Sequence, residues 1–224
     1  MTLNQGEATI RTAEREDIDD AADILGTDFN DTAPIVGSLL QFGHYDWRIL
    51  EIKDNAALII SDRVLETHKY HDQCESVTWE SCSLRRYLNE NFYDNFNSDE
   101  KARIIKTRIY NYNNPWFGTH GGMDTFDNIF LLCIDEVTKY FGNSKQIRGK
   151  NPNTGYFIND SFNGARKALN LENCFSRWWL RTIGNLPLFA VSVTIDGRIA
   201  VSGDFVNRSN SFSAGIRPAL WLRL

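Results

Sequence analysis

Between Ser38 and Ile60 the apolar residues come in three short runs, each closed within a few residues by a turn-forming cluster. Leu39-Leu-Gln-Phe42, Trp47-Arg-Ile-Leu-Glu-Ile52 and Ala56-Ala-Leu-Ile-Ile60 are separated by Gly43-His44 and by Lys53-Asp-Asn55. Each run is too short for a stable helix and long enough for a strand, so the spacing predicts a three-stranded antiparallel meander.

Helical and extended patterns alternate after it. From Ser81 to Phe96, Leu84, Tyr87, Leu88 and Phe92 fall on one helical face, and Ser98 is expected to cap a second helix running to about Ile105. Residues 110–128 read as a long loop rich in Asn, Gly and aromatics. Asn128–Cys133 reads as a buried strand, Asp135–Phe141 as a short helix stopped by Gly142, residues 143–157 as a polar loop and Asp160–Leu169 as a helix. The remainder reads as strands at Trp178–Arg181, Leu188–Thr194, Arg198–Ser202 and Ile216–Leu222. Asp196-Gly197 supplies a tight turn between the second and third of these. The expected class is α+β, with antiparallel sheets, a few short helices and long loops.

Charge divides the chain. Residues 1–36 carry nine acids and two bases, a net charge of −7, while the remainder carries +2. The apolar positions Ile18, Ala21, Ala22 and Leu25 predict a short helix in the acidic lead, ending at Gly26. Two regions are expected: an acidic extension over residues 1–34 and a single domain over 35–224. Net charge −5 argues against a nucleic-acid binder, and no apolar run nears the roughly 20 residues of a membrane span. Met1–Arg15 has no basic start followed by an apolar stretch, so a cytoplasmic location is expected.

Motifs for chemistry are sparse. Cys74, Cys82, Cys133 and Cys174 form no CxxC pair, and free thiols are expected. His68-x-x-His71-x-x-Cys74, beside Glu66 and Asp72, has the residue types of a zinc site but no second ligand pair follows, so a polar loop is expected and no metal. Neither GxSxG, GxxxxGK[ST] nor GxGxxG occurs, and no cofactor is expected. Ile10–Ile18 resembles the first strand and helix of acyl-CoA N-acetyltransferases, but the acyl-CoA loop of that family is missing.

Two loops combine aromatics with side-chain amides, residues 110–124 and 203–213. Aromatic rings supply contact area and Asn supplies both donors and acceptors, a mixture suited to a peptide, protein or glycan ligand. The binding residues expected are Tyr110, Asn113, Trp116, His120, Asn207, Arg208 and Asn210, with Trp116 and the three of the second loop on one exposed surface. Arg181 and Arg217 stand in strands of Trp, Leu and Ile, and are expected to be structural, paired to carboxylates or carbonyls. The leading expectation is a non-catalytic binding module. The alternative is a hydrolase-like enzyme using His120, Asp124 or Asp127.

Val36–Leu50, Thr78–Asn89, Asp127–Leu132, Trp178-Trp-Leu-Arg-Thr182 and Gly215-Ile-Arg-Pro-Ala-Leu-Trp221 together resemble, in order, a bacterial domain-of-unknown-function family of the DUF6273 type, common in gut Firmicutes. The family's usual WWLRSPG is Trp178-Trp-Leu-Arg-Thr-Ile-Gly184 here. The ending is similar to that of C-type-lectin-like domains, among them the formylglycine-generating enzymes. That resemblance implies a buried Arg bracing the C-terminal region and ligand-facing loops beside it. The calcium-site triplets Glu-Pro-Asn and Trp-Asn-Asp of sugar-binding lectins are missing from this sequence, and the catalytic cysteine pair of the formylglycine enzymes has no counterpart near its C-terminus, so neither chemistry is expected to carry over.

Overall fold

The computed structural model describes residues 33–148, 156–208 and 213–224. The helix expected in the acidic lead and the site residue Asn210 lie outside them. Pro34–Leu224 forms one compact unit.

Its first layer is a five-stranded antiparallel sheet. β1 (Leu39–Phe42), β2 (Tyr45–Lys53) and β3 (Ala56–Ser61) form the meander. The β2–β3 turn has two central residues, Asp54 and Asn55, at φ 50° and 59°. Positive φ at both positions matches the twist of paired strands, and Asp and Asn tolerate it better than bulkier side chains. β3 is buried along its whole length because it lies inside the sheet, between β2 and the C-terminal strand.

The middle of the chain is helical in short pieces. α1 (Ser83–Tyr87) is capped by the Cys82 sulfur, which accepts from the Arg85 amide, rather than by a hydroxyl, and it passes into a wide turn at Leu88–Phe92 and a tight one at Tyr93–Asn95. The single helix expected over 81–96 is thus three pieces. At the first junction Asn89 donates to the carbonyl of Ile129 and accepts from the amides of Asn128 and Ile129, tying the helix to a neighbouring extended segment. α2 (Ser98–Arg103) is capped by Asn97, not Ser98: Asn97 accepts from the Asp99 and Glu100 amides while Glu100 reaches back to the Asn97 amide, a complete capping box. β4 (Ile104–Ile105), β5 (Thr107–Ile109) and β6 (Thr125–Asp127) follow. Residues 129–133 are buried and extended but make only one bridge, Phe130 to Ala219, so the strand expected there does not form. α3 (Ile134–Tyr140) is then capped by Glu136 at the Cys133 amide.

The second layer is a four-stranded antiparallel sheet. β7 (Phe157–Ile158) lies at its edge. A four-residue helix, α4 (Asn163–Arg166), and a small hairpin, β8 (Ala168–Leu169) with β9 (Phe175–Ser176), replace the longer helix expected over 160–169. β10 (Trp178–Ile183), β11 (Phe189–Val193) and β12 (Ile199–Phe205) complete the sheet in the order β10-β11-β12-β7. The β11–β12 turn admits only glycine at position 197: φ is +85°, and a Cβ would stand 1.8 Å from the Asn163 carbonyl oxygen.

The chain returns to the first sheet through residues 213–218. Gly215 bridges Thr67 on one side and Trp178 of β10 on the other. Pro218 delays the final strand, so β13 (Ala219–Arg223) starts three residues later than the apolar run, pairing β3 and β4. The observed class is α+β with antiparallel sheets and short helices, as expected. Trp47, Trp79, Trp178 and Trp179 are all fully buried, and much of the aromatic content is core.

Candidate functional site

One face of the second sheet carries a cleft of about 550 Å³. Its floor is made by small residues of one strand, β12. Ala200 of β12 stands opposite both Ser192 of β11 and Phe157 of β7, and Ser202 and Gly203 continue the floor along β12. Side chains this small leave the sheet surface open between taller neighbours. Phe157 and Phe175 supply those neighbours in aromatic form, and Phe175 is exposed.

The rim is charged and organised. Asp204 at the end of β12 receives Arg177, the Ser192 hydroxyl at 2.8 Å and Arg208 at 2.7 Å. Arg177 also donates to the Ser192 hydroxyl at 3.2 Å, while its Nε is buried with no partner among the described residues. Ser213 donates to the Arg208 carbonyl at 2.7 Å. At the other end Arg198 lies over the Phe157 ring, 4.7 Å from its centroid, and its Nε stands 2.7 Å from Asp196 Oδ2 without the alignment of a hydrogen bond. Burial works to raise the Asp196 carboxyl, but the hydroxyl donated by Thr194 and the Arg198 charge hold it below its ordinary value. The cleft therefore offers hydrogen-bonding hydroxyls, two oriented guanidinium groups and two carboxylates around an aromatic, small-residue floor.

The residues expected from sequence divide between this cleft and elsewhere. Arg208 does not line the cleft but is bonded to Asp204 at its rim, and Asn207 precedes it, half-buried. Trp116 is a correction. It is buried, and its indole donates to the Ile147 carbonyl at 2.6 Å, so it anchors its loop and presents no exposed binding surface. The residue that folds this loop is Asn114, whose amide donates to the carbonyls of Ile183 and Val201 while its oxygen accepts from the amides of Trp116 and Phe117. Tyr110 and Tyr112 are exposed and stacked, 6.0 Å apart with a 12° interplanar angle. Asn113 accepts from the Gly121 amide, and His120 Nδ1 accepts from the Gly122 amide. Asp124 is held by Arg108, and fully buried Asp127 receives Trp79, Arg85 and Thr125. Arg181 is buried, bonded twice to Glu136 and to the carbonyls of Leu131 and Tyr110. Arg217 is buried too and donates to the carbonyls of Ser61 and Asp62.

Sequence reading missed Arg177, Asp196, Arg198, Ser202 and Asp204. The alternation Ala200-x-Ser202-x-Asp204 carries a signal, since a half-buried strand normally presents a polar solvent face and this one is unusually small. Nothing local in the sequence sets Phe157 beside Ala200, because that pairing spans 43 positions between β7 and β12.

Other chemistry-bearing groups are occupied. His71 accepts from the Ser83 amide at one ring nitrogen and meets Glu75 at the other. Burial pushes the Cys82 and Cys133 thiols up to about 12, leaving them protonated and unreactive near neutral pH. Among the described residues no helix is long and apolar enough to cross a membrane.

A family model described as Domain of unknown function (DUF6273) matches residues 54–224, more than half of the chain. The chain belongs to the DUF6273 family. The match takes in the whole second sheet and its cleft, and it starts after β2 in the first sheet. No curated protein and no solved structure matches the chain.

Proposed function

We propose that this DUF6273 domain is a non-catalytic binding module, and that the cleft over Ala200, Ser202 and Gly203 receives a segment of a peptide or glycan. The supporting observation is the combination of a small-residue floor with aromatic walls and hydroxyl and guanidinium groups at the rim. A concave, largely apolar surface with a few fixed polar groups is the usual composition of a ligand site. The loop carrying Asn207 and Arg208 adjoins this cleft through the Arg208–Asp204 bond, and the C-type-lectin-like resemblance implies ligand-facing loops in this part of the chain. The hydrolase reading gains no comparable support, because His120, Asp124 and Asp127 each have a structural partner.

Peptide and glycan arrays probed with the full chain and with Ser202→Phe test the reading. The substitution fills the cleft from its floor while Arg177, Ser192, Asp204 and Arg208 keep their identities. The expected result is a set of hits that Ser202→Phe removes while its melting temperature stays within a few degrees. Hits retained in full by Ser202→Phe, or arrays without a hit, overturn it.

A further inference from the structure

A second cleft, of about 490 Å³, opens on the other side of Phe175 and has a different character. Four cationic side chains line it, Arg48, Arg63, Lys167 and Arg217, against one carboxylate, Asp62. That carboxylate is already engaged: Arg48 donates to a single Asp62 oxygen through Nε at 3.0 Å and Nη2 at 2.6 Å. Arg63 donates to the Asn170 carbonyl and the Asn173 side chain, both neutral. Lys167 stands over the Phe175 ring, 5.1 Å from its centroid.

Arg217 is the buried charge at the floor. It is 3% exposed and donates only to the backbone carbonyls of Ser61 and Asp62, and its Nη1 has no hydrogen-bond partner among the described residues. Its guanidinium is sandwiched near Trp178 and Phe141, at 4.9 and 5.7 Å from their ring centroids. Burial pushes its pKa down to about 10, with Asp62 opposing and Arg48 adding to the fall. A buried guanidinium without a carboxylate partner is costly, and an anion nearby offsets that cost.

We propose that this cleft binds a small phosphate monoester, with Arg63 and Lys167 contacting the phosphate, Arg217 supplying a fixed positive potential beneath it, and Phe141 and Phe175 holding an apolar body. A dianion matches the excess of three positive charges better than a carboxylate does. Its three terminal oxygens also accept from several donors at once, where a planar carboxylate offers two. The volume suits a small molecule, within the range of about 300–1,000 Å³ usual for such sites.

Calorimetric titration of the full chain with phenyl phosphate, inorganic phosphate, benzoate and a phosphotyrosyl peptide tests this. Phenyl phosphate is expected to bind more tightly than inorganic phosphate or benzoate, and to weaken as salt rises. Arg63→Gln/Lys167→Gln, both on the cleft wall rather than in the core, is expected to weaken it at least about tenfold with melting temperature retained. Ser202→Phe is expected to leave it unchanged, which separates this site from the cleft across Phe175. Undetectable phenyl phosphate binding, equal affinity for benzoate, or unchanged affinity in the double variant overturns the proposal. Tighter binding of the phosphotyrosyl peptide than of phenyl phosphate overturns the small-molecule assignment.

Discussion

Arg181 shows how a single buried cation orders its surroundings. Its guanidinium meets Glu136 at 2.5 and 2.9 Å and two backbone carbonyls, and Glu136 in turn caps α3 through the Cys133 amide. Losing the cation would strand a carboxylate that retains one amide partner and some solvent. Arg181→Met is therefore expected to cost about 2–3 kcal/mol, below the about 3–5 kcal/mol of a fully buried broken pair, measured by urea denaturation. The cysteines separate in the same way, by environment. Cys82 and Cys133 are buried with raised pKa values, whereas Cys74 and Cys174 are exposed. Ellman's reagent at pH 8 is expected to titrate two thiols quickly in the native chain and all four in denaturant. An arginine among apolar residues can be read from sequence as buried and paired, because burial of an unpaired cation is so unfavourable. Its partner cannot, since Glu136 lies 45 positions away and only folding brings it near. Trp116 illustrates the converse. Its loop has no periodicity, and nothing in the sequence separates an inward anchor from an outward contact until Asn114 is seen fastening the turn.

Among the elements, the meander was legible because each of its turns is local: two residues decide each reversal, and the strands follow. The helix over 81–96 was less so, because Asn89 diverts it toward residues 128 and 129, a contact between distant segments. The small floor of the cleft was illegible for the same reason. Gly197 positions that floor, since its turn sets the register of β11 against β12 while its carbonyl accepts from Arg166 at 2.8 Å. Gly197→Ala would meet both positive φ and the Asn163 carbonyl, so a loss of well over about 1 kcal/mol is expected, visible as a lower melting temperature. A gentler link joins α3 to the first sheet, where Lys139 and the Tyr140 hydroxyl donate to Glu51 of β2 at 2.6 and 2.5 Å. These bonds lower the Glu51 pKa against the opposing effect of burial. A carboxylate with a lowered folded-state pKa stabilises the fold fully above its ordinary value, and that contribution disappears as pH falls through the folded value. Glu51→Gln is expected to cost about 0.5–1 kcal/mol at pH 7, as part-exposed pairs do, and nothing once the pH is well below the ordinary carboxylate range. A difference that persists in acid would point to packing rather than charge.

At the scale of the whole domain, the family match and the folding unit differ at one end, and the difference has a physical consequence. The match starts at residue 54, inside the β2–β3 turn, whereas the first sheet starts at Leu39. β3 has β2 on one side and β13 on the other, and all six of its residues are buried. A chain of residues 54–224 would expose one edge of β3 and remove Trp47 and Ile49, which are almost wholly buried in the core. Uncovered, that edge offers a row of unpaired backbone groups flanked by Leu58, Ile59 and Ile60, the kind of strand on which chains associate. Deleting a buried tryptophan alone costs about 3–5 kcal/mol, a large fraction of a domain's usual stability of about 5–15 kcal/mol. Arg48 would go too, leaving Asp62 without its ion-pair partner. Residues 34–224 keep all of these contacts. Expressed side by side, 34–224 is expected to unfold cooperatively as a monomer, and 54–224 to aggregate or to show no cooperative transition by circular dichroism. Cooperative unfolding of 54–224 at a similar temperature would mean that β1 and β2 are an appendage, and that the second sheet with β3 and β13 is a sufficient folding core.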